Sequence, residues 1–341
     1  MKTMLSIDTN TVQHASPGTP PDMQARPAEA AAFAPRCISI DLEVGVTDNT
    51  IHAFAGVLGD TGNACVFRRG DLAQALAMLD EFAGAAAFVL GHNFIAFDRA
   101  HLAAASPDLK LLQLPVVDTL CLNPLAFPRN PYHRLVKHYQ DGQLQRGQLN
   151  DPELDARLTL HVLRDQLAAL QDTARSDPDL LAAWHWLTTT DTTVSGLNAF
   201  FTTIRRLPRP SDDTGRAAIA RYLDGLGCAT QAGRCVEEAH ELGWPLAYAL
   251  AWLSVSSSNS VMPPWVRHQY PQAGDIVRRL RDTPCGDPAC EAARHAVWRS
   301  RLWLVRRAPR CPQGIAALVR IRRFQAGAGG RRRQTPAANH C

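Results

Sequence analysis

Two acidic residues, Asp41 and Glu43, lie one residue apart in the apolar run CISIDLEVG at residues 37–45. Because alternate side chains of a strand point to the same face, both carboxylates face one way while Ile40 and Leu42 face the other. Two acidic residues spaced in this way, without further acids nearby, commonly mark the solvated face of a strand. Buried carboxylates need a partner of opposite charge, since burying a charge is costly. The run is therefore either a polar strand face or part of a cation site.

Two later stretches supply further polar groups at the ends of predicted elements. In VLGHNFIAFDRAHL a buried strand ends in His92 and Asn93, and Asp98 follows at the start of a helix. In NDPELDARLTLHVL, Asp155 lies one turn into a long helix. Four carboxylates that converge repel one another and are tolerated when divalent cations bind them. All-oxygen ligation selects Mg²⁺ or Mn²⁺, and two such ions about 4 Å apart can activate a water for phosphodiester hydrolysis.

The elements that position these residues form a predicted α/β domain over residues 36–172. Turn signals separate three strands of a meander, at 37–45, 51–59 and 64–69. Further along the chain we predict a helix capped by Asp71, a buried strand and three more helices, at 71–84, 86–93, 96–104, 132–139 and 151–171.

The flanking regions differ from this domain in composition. Residues 1–35 are rich in Ala, Pro, Thr and Ser, which indicates a disordered leader. Residues 175–290 form a predicted smaller helical domain, with helices near 178–188, 214–224, 231–242, 245–255 and 272–282. Residues 291–341 form an Arg-rich tail that is predicted to be disordered, with twelve Arg and no acid from Ala292 onward. Without those twelve, 24 basic residues stand against 32 acidic ones, so the net charge of +4 hides a body of −8.

The acidic motifs resemble those of a known family. SIDLE, GHNFIAFD and DPELDA, in this order and with these separations, are similar to the three motifs of the DEDD 3′–5′ exonucleases, which include proofreading subunits and ribonuclease T. The resemblance covers residues 36–172, and VVDTLCLN at 116–123 also fits it. It implies a ribonuclease-H-like fold. It also implies that two Mg²⁺ or Mn²⁺ ions are held by four catalytic ligands, Asp41, Glu43, Asp98 and Asp155.

The residue that activates water in this family is not matched. One subgroup places a His five residues before the last Asp, where this chain has Asn150, and another places a Tyr four before it, where this chain has Asp151. Asn cannot accept a proton at neutral pH. This departure leaves three alternatives: the activity is reduced, a nearby group takes the place of the missing base, or the chain activates water in a different way. His92 and His138 are candidate substitutes, each with a structural role as the alternative.

Segment 123–145 interleaves aromatic and basic residues between the second and third motifs. Such a set can line a nucleic-acid strand, with cations on phosphates and aromatic rings on bases. The alternative is an amphipathic helix with a polar face. We interpret five residues as substrate contacts: His92, Asn93, Tyr132, His133 and Lys137.

A zinc site at Cys285, Cys290 and His295 is disfavoured. Their C-x₄-C-x₄-H spacing is wider than that of structural zinc sites, which take four ligands. We therefore expect free thiols there.

Residues 175–290 extend the resemblance to a second group of proteins. GWPLAYALAWLSV, NSVMPPWVRHQYP and DTPCGDPAC, after an exonuclease-like part, are similar to the N-terminal portion of some bacterial RecQ-family DNA helicases. The sequence contains no G-x-x-x-x-G-K-[ST] loop, so we expect the ATPase motor of those helicases to be lacking. We interpret the chain as a stand-alone or truncated relative whose tail arose where the reading frame changed. The alternative is a native tail with Arg331 to Arg333 on phosphates.

The sequence therefore predicts a metal-dependent 3′–5′ exonuclease that acts on single-stranded DNA ends in repair, with a helicase or another repair protein as partner. Two alternatives stay open: a catalytically weakened nucleic-acid-binding or partner-docking module, which Asn150 favours, and an RNA-processing exonuclease. No apolar run reaches the roughly 18 residues that span a bilayer, and the N-terminal stretch lacks a signal-peptide core. We expect a cytoplasmic protein without membrane contact, and the sequence does not indicate its oligomeric state.

Overall fold

The computed structural model describes residues 33–130, 151–190, 195–255 and 262–281, together with Gly286 and Pro288. Five strands form one mixed sheet in the order β3-β2-β1-β4-β5: β1 Cys37–Val44, β2 Ile51–Leu58, β3 Ala64–Phe67, β4 Phe88–Gly91 and β5 Val116–Asp118. The first three strands pair antiparallel, whereas β1, β4 and β5 run parallel. The C-terminal ends of β1, β4 and β5 therefore lie at the same edge of the sheet.

Eleven α-helices accompany the sheet within the described ranges. They are α1 Leu72–Phe82, α2 Asp98–Ala105, α3 Thr119–Ala126, α4 Pro152–Ser176, α5 Pro178–Leu187, α6 Leu197–Arg205, α7 Asp212–Leu223, α8 Ala229–Glu237, α9 Ala239–Val255, α10 Pro264–Gln269 and α11 Pro271–Arg281. Short 3₁₀ turns lie at Ala34–Arg36, Ala83–Ala85 and Lys110–Gln113. The chain thus has the predicted coarse architecture, an α/β sheet flanked by helices and a helical region. None of the helices described here is long and apolar enough to span a membrane.

The local predictions agree with these elements to within a few residues. The meander and the buried strand are confirmed, with β3 and β4 shorter than the runs 64–69 and 86–93. Asp71 caps α1 as predicted, because its carboxylate accepts hydrogen bonds from the backbone N–H groups of Ala73 and Gln74, at 2.9 and 3.2 Å. The sequence reasoning missed β5, α3, α6 and α10, all of them short. The helix predicted at 132–139 lies outside the described residues.

The predicted helices at 231–242 and 245–255 are present with a shifted boundary. Helix α8 ends at Glu237, and α9 bends at Gly243, where φ is 45° and ψ is −119°. Glycine adopts this backbone conformation without the clash that a Cβ atom would cause. The break expected between the two runs is therefore a kink inside α9.

The two faces of β1 belong to two different apolar cores. Alternate residues from Ile38 to Leu42 pack with α1 and α2. On the opposite face, Cys37 lies in the larger core with α4, and Ser39 donates a hydrogen bond of 2.8 Å to the carbonyl oxygen of Ala156 in α4. The next two residues of this face are the two acids of the strand, as the alternation predicts.

The helical region shares the larger core with the sheet. Leu163 and Leu167 of α4 belong to one buried cluster with Trp184 of α5 and Leu250 of α9. The ring N–H of Trp184 also donates a hydrogen bond of 3.0 Å to the carbonyl oxygen of Ala247. The apolar core therefore continues from the sheet, through α4, into the helices that follow it.

The two outermost strands of the sheet, β5 and β3, differ in what lies beside them. At the β5 edge, Ser195 forms a parallel bridge with Val116, and the backbone N–H of Gly196 donates a hydrogen bond of 2.7 Å to the carbonyl oxygen of Val116. At the other edge, β3 pairs with β2 alone within the part of the chain that the structure describes. The segment that leads into α6 thus lies against the β5 edge strand, whereas the outer side of the short strand β3 has no strand partner among the described residues.

Candidate metal centre

Three carboxylates from two elements come together at the C-terminal end of β1. Asp41 and Glu43 of β1 and Asp155 of α4 each offer a carboxylate oxygen, and these oxygens lie within 4.8 Å of one another. All three side chains are half-buried. We call this group the acidic triad. It unites three of the four acids that the sequence predicts as metal ligands.

The overhang of β1 beyond β4 places two members of the acidic triad. The parallel pairing with β4 covers Cys37 to Ser39, so Asp41 and Glu43 lie past it. On the other side they pair with β2 opposite Ala55 and Ala53, and the register shifts after Glu43. Such a bulge is common beside functional sites, because it changes the direction of the following side chains.

The first turn of α4 carries the third member, Asp155. The carboxylate of Asp151 caps this helix by accepting a hydrogen bond of 3.2 Å from the backbone N–H of Glu153, and it also pairs with Arg68 at 3.0 Å. Asp151, four residues before Asp155, is therefore held at the helix start. The partial positive charge of a helix N-terminus favours an acid in this turn.

Asp98 lies beside the acidic triad and outside it. Its Oδ1 atom accepts a hydrogen bond of 3.1 Å from the backbone N–H of Leu42, which lies between the two acids of β1. The Asp98 side chain is only 3% exposed. Burial raises its pKa to about 7, the bond from Leu42 opposes this change, and the charges of Asp118 and Glu43 add to it. This carboxyl is therefore poised between its two protonation states near neutral pH.

Asp118, at the end of β5, holds the turn that leads to Asp98. Its carboxylate accepts hydrogen bonds from the backbone N–H groups of Asn93, Ile95 and Leu120, at 2.8, 3.1 and 3.0 Å. Burial raises the pKa of Asp118, and these bonds lower it. Asn93 has a φ of 70°, a left-handed conformation that is uncommon for a residue other than glycine. Asp118 lies in the motif VVDTLCLN, which fits the resemblance, but no role for this residue was predicted from the sequence.

Thr119 and Gln166 connect this turn to α4. The hydroxyl of Thr119 donates to the carbonyl oxygen of Gly91 at 3.0 Å, and Nδ1 of His92 lies 2.9 Å from the same hydroxyl. Because the hydroxyl proton is used on Gly91, Nδ1 of His92 is the donor in the second contact. The side-chain nitrogen of Gln166 donates to the carbonyl oxygen of Thr119 and to Oδ1 of Asn123, both at 2.7 Å. His92, a predicted substrate contact, is thus a partner of Thr119.

Apolar side chains are exposed close to Asp98. Ile95 and Phe97, in the turn before α2, are 44% and 40% exposed, and Phe97 meets the ring of His101 edge-on at 4.7 Å between centroids. Val46, in the hairpin that follows β1, is fully exposed. Exposed apolar residues are ordinary when scattered, but here two of them lie in the turn that immediately precedes a buried acid.

Several predicted residues lie outside the described part of the chain. Among the proposed substrate contacts these are Tyr132, His133 and Lys137. The same holds for Asn150 and His138, and for the disfavoured zinc ligands Cys285, Cys290 and His295.

Comparisons of the chain with protein-family models, with curated proteins and with solved structures find no match. No relative therefore supplies a ligand, a substrate or a residue role. Evidence for a function comes from the acidic triad, its surroundings and the three sequence motifs.

Proposed function

We propose that this chain is a metal-dependent exonuclease that hydrolyses terminal phosphodiester bonds of single-stranded DNA in the 3′–5′ direction. The observation that supports it most is the acidic triad, whose three carboxylate oxygens lie within 4.8 Å. Negative charges this close repel one another unless a cation lies between them. The donor set consists of carboxylates alone, which fits Mg²⁺ or Mn²⁺ and does not fit a soft metal.

The topology of the sheet is compatible with the proposed ribonuclease-H-like fold. The strand order β3-β2-β1-β4-β5 puts the longest parallel strand in the centre, and that strand carries two of the acids. Helix α4 packs across β1 and β2 and adds the third acid from its first turn. In open α/β sheets, ligands bind near the carboxyl ends of the parallel strands, and Asp41 and Glu43 lie in the part of β1 that extends past its pairing with β4.

The proposed chemistry divides between bound cations and the protein. Divalent ions held by the acidic triad would supply the Lewis acidity that activates water and stabilises charge on a phosphate. The chain holds the ligands in place: Ser39 fixes the start of α4 to β1, and Leu42 fixes the carboxyl of Asp98 beside the triad. Asp98 is accordingly the fourth acid of the proposed site.

The exposed turn beside Asp98 supplies a surface for the bases of a substrate strand. Ile95 and Phe97 project from a turn that is fixed from beneath by Asp118. Stacking of a base on an aromatic ring such as that of Phe97 contributes about 1–3 kcal/mol and tolerates any sequence, and Ile95 adds apolar surface beside it. A strand end that stacks here would place its last phosphodiester bonds close to the acids.

The direction of digestion, the preference for DNA and a role in repair depend on the resemblance of the three motifs to DEDD exonucleases. A helicase or another repair protein as partner depends on the resemblance of residues 175–290 to the N-terminal portion of some RecQ-family helicases. These parts of the proposal are therefore tested separately from the chemistry.

The decisive experiment incubates the purified full-length protein with single-stranded DNA and RNA, labelled at either end, in Mg²⁺ or Mn²⁺. We expect stepwise shortening of DNA from the 3′ end, and loss of this activity in Asp41→Ala. Asp165→Asn, which neutralises an exposed acid on α4, is the matched control and should stay active. Equal activity in wild type and Asp41→Ala would assign the signal to a contaminant and would overturn the proposal.

A catalytically weakened nucleic-acid-binding module is the second candidate. The feature in its favour is Asn150, which stands where one subgroup of the resembling family has a His. This candidate predicts binding of the labelled strands without shortening in either metal. Preferential digestion of RNA would instead indicate an RNA-processing exonuclease.

A further inference from the structure

We propose that Asp118 is a positioning residue of this site. Together with Thr119 and Gln166, it fixes the spacing between the turn that carries Asp98 and the helix that carries Asp155. We call these three residues the buried polar network. The inference rests on the proposed metal-dependent function, and it concerns residues that are not members of the acidic triad. They act through the elements that hold the acids.

The carboxylate of Asp118 joins two separate segments of backbone. One oxygen, Oδ1, accepts from the N–H groups of Asn93 and Leu120, and the other, Oδ2, accepts from the N–H of Ile95. Two of these donors belong to the turn between β4 and α2, and the third belongs to the first turn of α3. Because the carboxylate is almost fully buried, water cannot replace these bonds. Asp118 therefore ties the turn between β4 and α2 to the start of α3.

This turn determines where Asp98 lies. Phe97 precedes α2, and its backbone N–H donates a hydrogen bond of 3.0 Å to the carbonyl oxygen of Asn93. The left-handed backbone of Asn93 is maintained by the bond to Asp118 next to it. Uncommon backbone conformations persist where surrounding contacts over-determine them. Loss of the acceptor would let the turn relax and move the acid that follows it.

The other half of the buried polar network sets the position of α4. Gln166 is fully buried, and both hydrogens of its side-chain nitrogen are used, on the carbonyl oxygen of Thr119 and on Asn123. Gln166 follows Asp155 by 11 residues, about 16 Å along the helix at about 1.5 Å per residue. Ser39 holds the other end of the same helix at Ala156. Helix α4 is thus fixed at two levels against sliding and rotation.

Asp118 holds the turn before α2, and Thr119 holds α4 through Gln166. Because Asp118 and Thr119 are adjacent in the chain, both elements are held from the end of β5. A shift there would change the separation of Asp98 from the acidic triad. Metal binding tolerates errors in ligand distance of only about 0.2 Å. Loss of groups that orient ligands commonly weakens metal affinity about 10- to 100-fold. A residue that served only folding would leave the affinity of the folded protein unchanged.

The test compares Asp118→Asn with a matched control, Asp80→Asn. The carboxylate of Asp80 also accepts a part-buried backbone N–H, that of Leu111 at 2.8 Å, but it lies on α1, which packs on the face of β1 opposite to the acidic triad. Both changes remove one charge and one acceptor. Mn²⁺ affinity is measured from the electron paramagnetic resonance signal of free Mn²⁺, at a temperature where near-ultraviolet circular dichroism shows each protein folded. We expect affinity about 10-fold weaker in Asp118→Asn and unchanged in Asp80→Asn, with nuclease turnover of Asp118→Asn restored by excess Mn²⁺.

An Mn²⁺ affinity within twofold of wild type in folded Asp118→Asn would overturn the positioning role. If that variant does not fold, Gln166→Met takes its place, since it removes two bonds of the network and keeps the charge. Unchanged affinity in Gln166→Met would overturn the role equally. Wild-type protein that binds Mn²⁺ without cutting DNA would refute the exonuclease proposal, and the affinities of the variants would still decide the positioning role. Wild-type protein that binds no Mn²⁺ would overturn both.

Discussion

The hydroxyl of Ser39 donates a hydrogen bond of 2.8 Å to the carbonyl oxygen of Ala156, the residue that follows Asp155. Both partners are fully buried. The bond joins the middle of β1 to the first turn of α4, next to the place where Asp41 meets Asp155. The helix that carries one acid is thereby fixed to the strand that carries the other two.

We predict that Ser39→Ala lowers the free energy of unfolding by about 1 kcal/mol, because it removes one buried hydrogen bond. It should also weaken Mn²⁺ affinity and nuclease activity, since α4 can then shift against β1. Urea denaturation measures the first effect, and activity at limiting Mn²⁺ measures the second.

Thr173→Ala is the control for this prediction. It removes a hydrogen bond of 3.2 Å to the carbonyl oxygen of Ala169, at the far end of the same helix. Its Mn²⁺ affinity and activity should equal those of wild type. Equal activity of Ser39→Ala and Thr173→Ala at limiting Mn²⁺ would show that the bond to Ala156 serves stability alone.

The acidic triad should destabilise the protein when no cation is bound. We predict that Glu43→Gln raises the free energy of unfolding in a chelator by on the order of 1 kcal/mol, because it relieves repulsion from Asp41 and Asp155. This corresponds to a rise of about 1–2 °C in Tm for a chain of this size. Addition of Mn²⁺ should raise the Tm of wild type more than that of the variant, since ligands stabilise the state that binds them.

Glu81→Gln, an exposed change on α1, is the control. It should change the Tm by no more than about a degree, both in chelator and in Mn²⁺. Circular dichroism melts in chelator and in Mn²⁺ provide all the comparisons. A Glu43→Gln protein that gains as much Tm from Mn²⁺ as wild type does would contradict a cation site at the acidic triad.

His185 makes stability depend on pH below neutrality. It is fully buried, its Nδ1 accepts a hydrogen bond of 2.9 Å from Arg205, and its Nε2 lies 2.8 Å from the side-chain oxygen of Asn198. Burial lowers its pKa to about 4, with smaller downward effects of Arg205 and Arg209 that the bond to Asn198 opposes. The folded protein therefore holds this ring neutral.

An unfolded chain binds the proton at about pH 6.5, so acid favours unfolding over the window from pH 6.5 to pH 4. The contribution of His185 is fully present above this window. We predict that proton uptake by His185 in the unfolded chain lowers the free energy of unfolding by on the order of 3 kcal/mol across it, at about 1.4 kcal/mol per pH unit. Asp98 acts in the opposite sense, because its pKa is raised to about 7 in the folded protein, which therefore binds that proton first. Urea denaturation of wild type and His185→Gln between pH 7 and pH 5 separates the two effects, because the variant lacks the contribution of His185 and keeps that of Asp98.

Because Gln takes no proton, the free energy of unfolding of His185→Gln should fall less than that of wild type as the pH is lowered from 7 to 5. His161→Gln, an exposed change on α4, should leave the slope as in wild type. An identical pH dependence in wild type and His185→Gln would show that His185 does not contribute to it.

The shared core predicts that the sheet cannot fold without the helices that follow it. A fragment of residues 33–176 would expose Leu163 and Leu167, which pack against Trp184 in the intact chain. We expect that fragment to lack near-ultraviolet circular dichroism and to bind a hydrophobic dye. A fragment of residues 33–281, which contains the helices of the shared core, should unfold in one cooperative transition. Cooperative unfolding of the shorter fragment would show that the core divides at α4.

Local properties of this fold could be read from the sequence. The alternation in CISIDLEVG is enough to put Asp41 and Glu43 on one face, because side-chain direction repeats every two residues in any strand. The cap at Asp71 is equally local, since its partners are the next residues of its own helix.

The supports of the site could not be read in this way. A lone Asp between a strand and a helix, such as Asp118, indicates an N-cap. Asp118 does cap α3, because its carboxylate accepts a hydrogen bond from the backbone N–H of Leu120. Its other two partners, Asn93 and Ile95, lie more than 20 residues earlier and are brought near only by the pairing of β4 with β5. The motif spacing likewise predicts that Asp98 joins the other three acids. Its actual position, beside the acidic triad and not in it, is set by the turn before α2, which the spacing does not reveal.

The bridge between Val116 and Ser195 has a consequence for association between chains. Within the described residues it covers one flank of the sheet, so strands from another molecule are directed to the flank at β3. That strand is four residues long and is followed at once by Arg68 and Arg69. Short edge strands next to positive charge resist uncontrolled pairing. At this flank the shortness of β3 and the arginines that follow it are the features that limit pairing with other chains, and Arg68 is itself held by Asp151 at 3.0 Å.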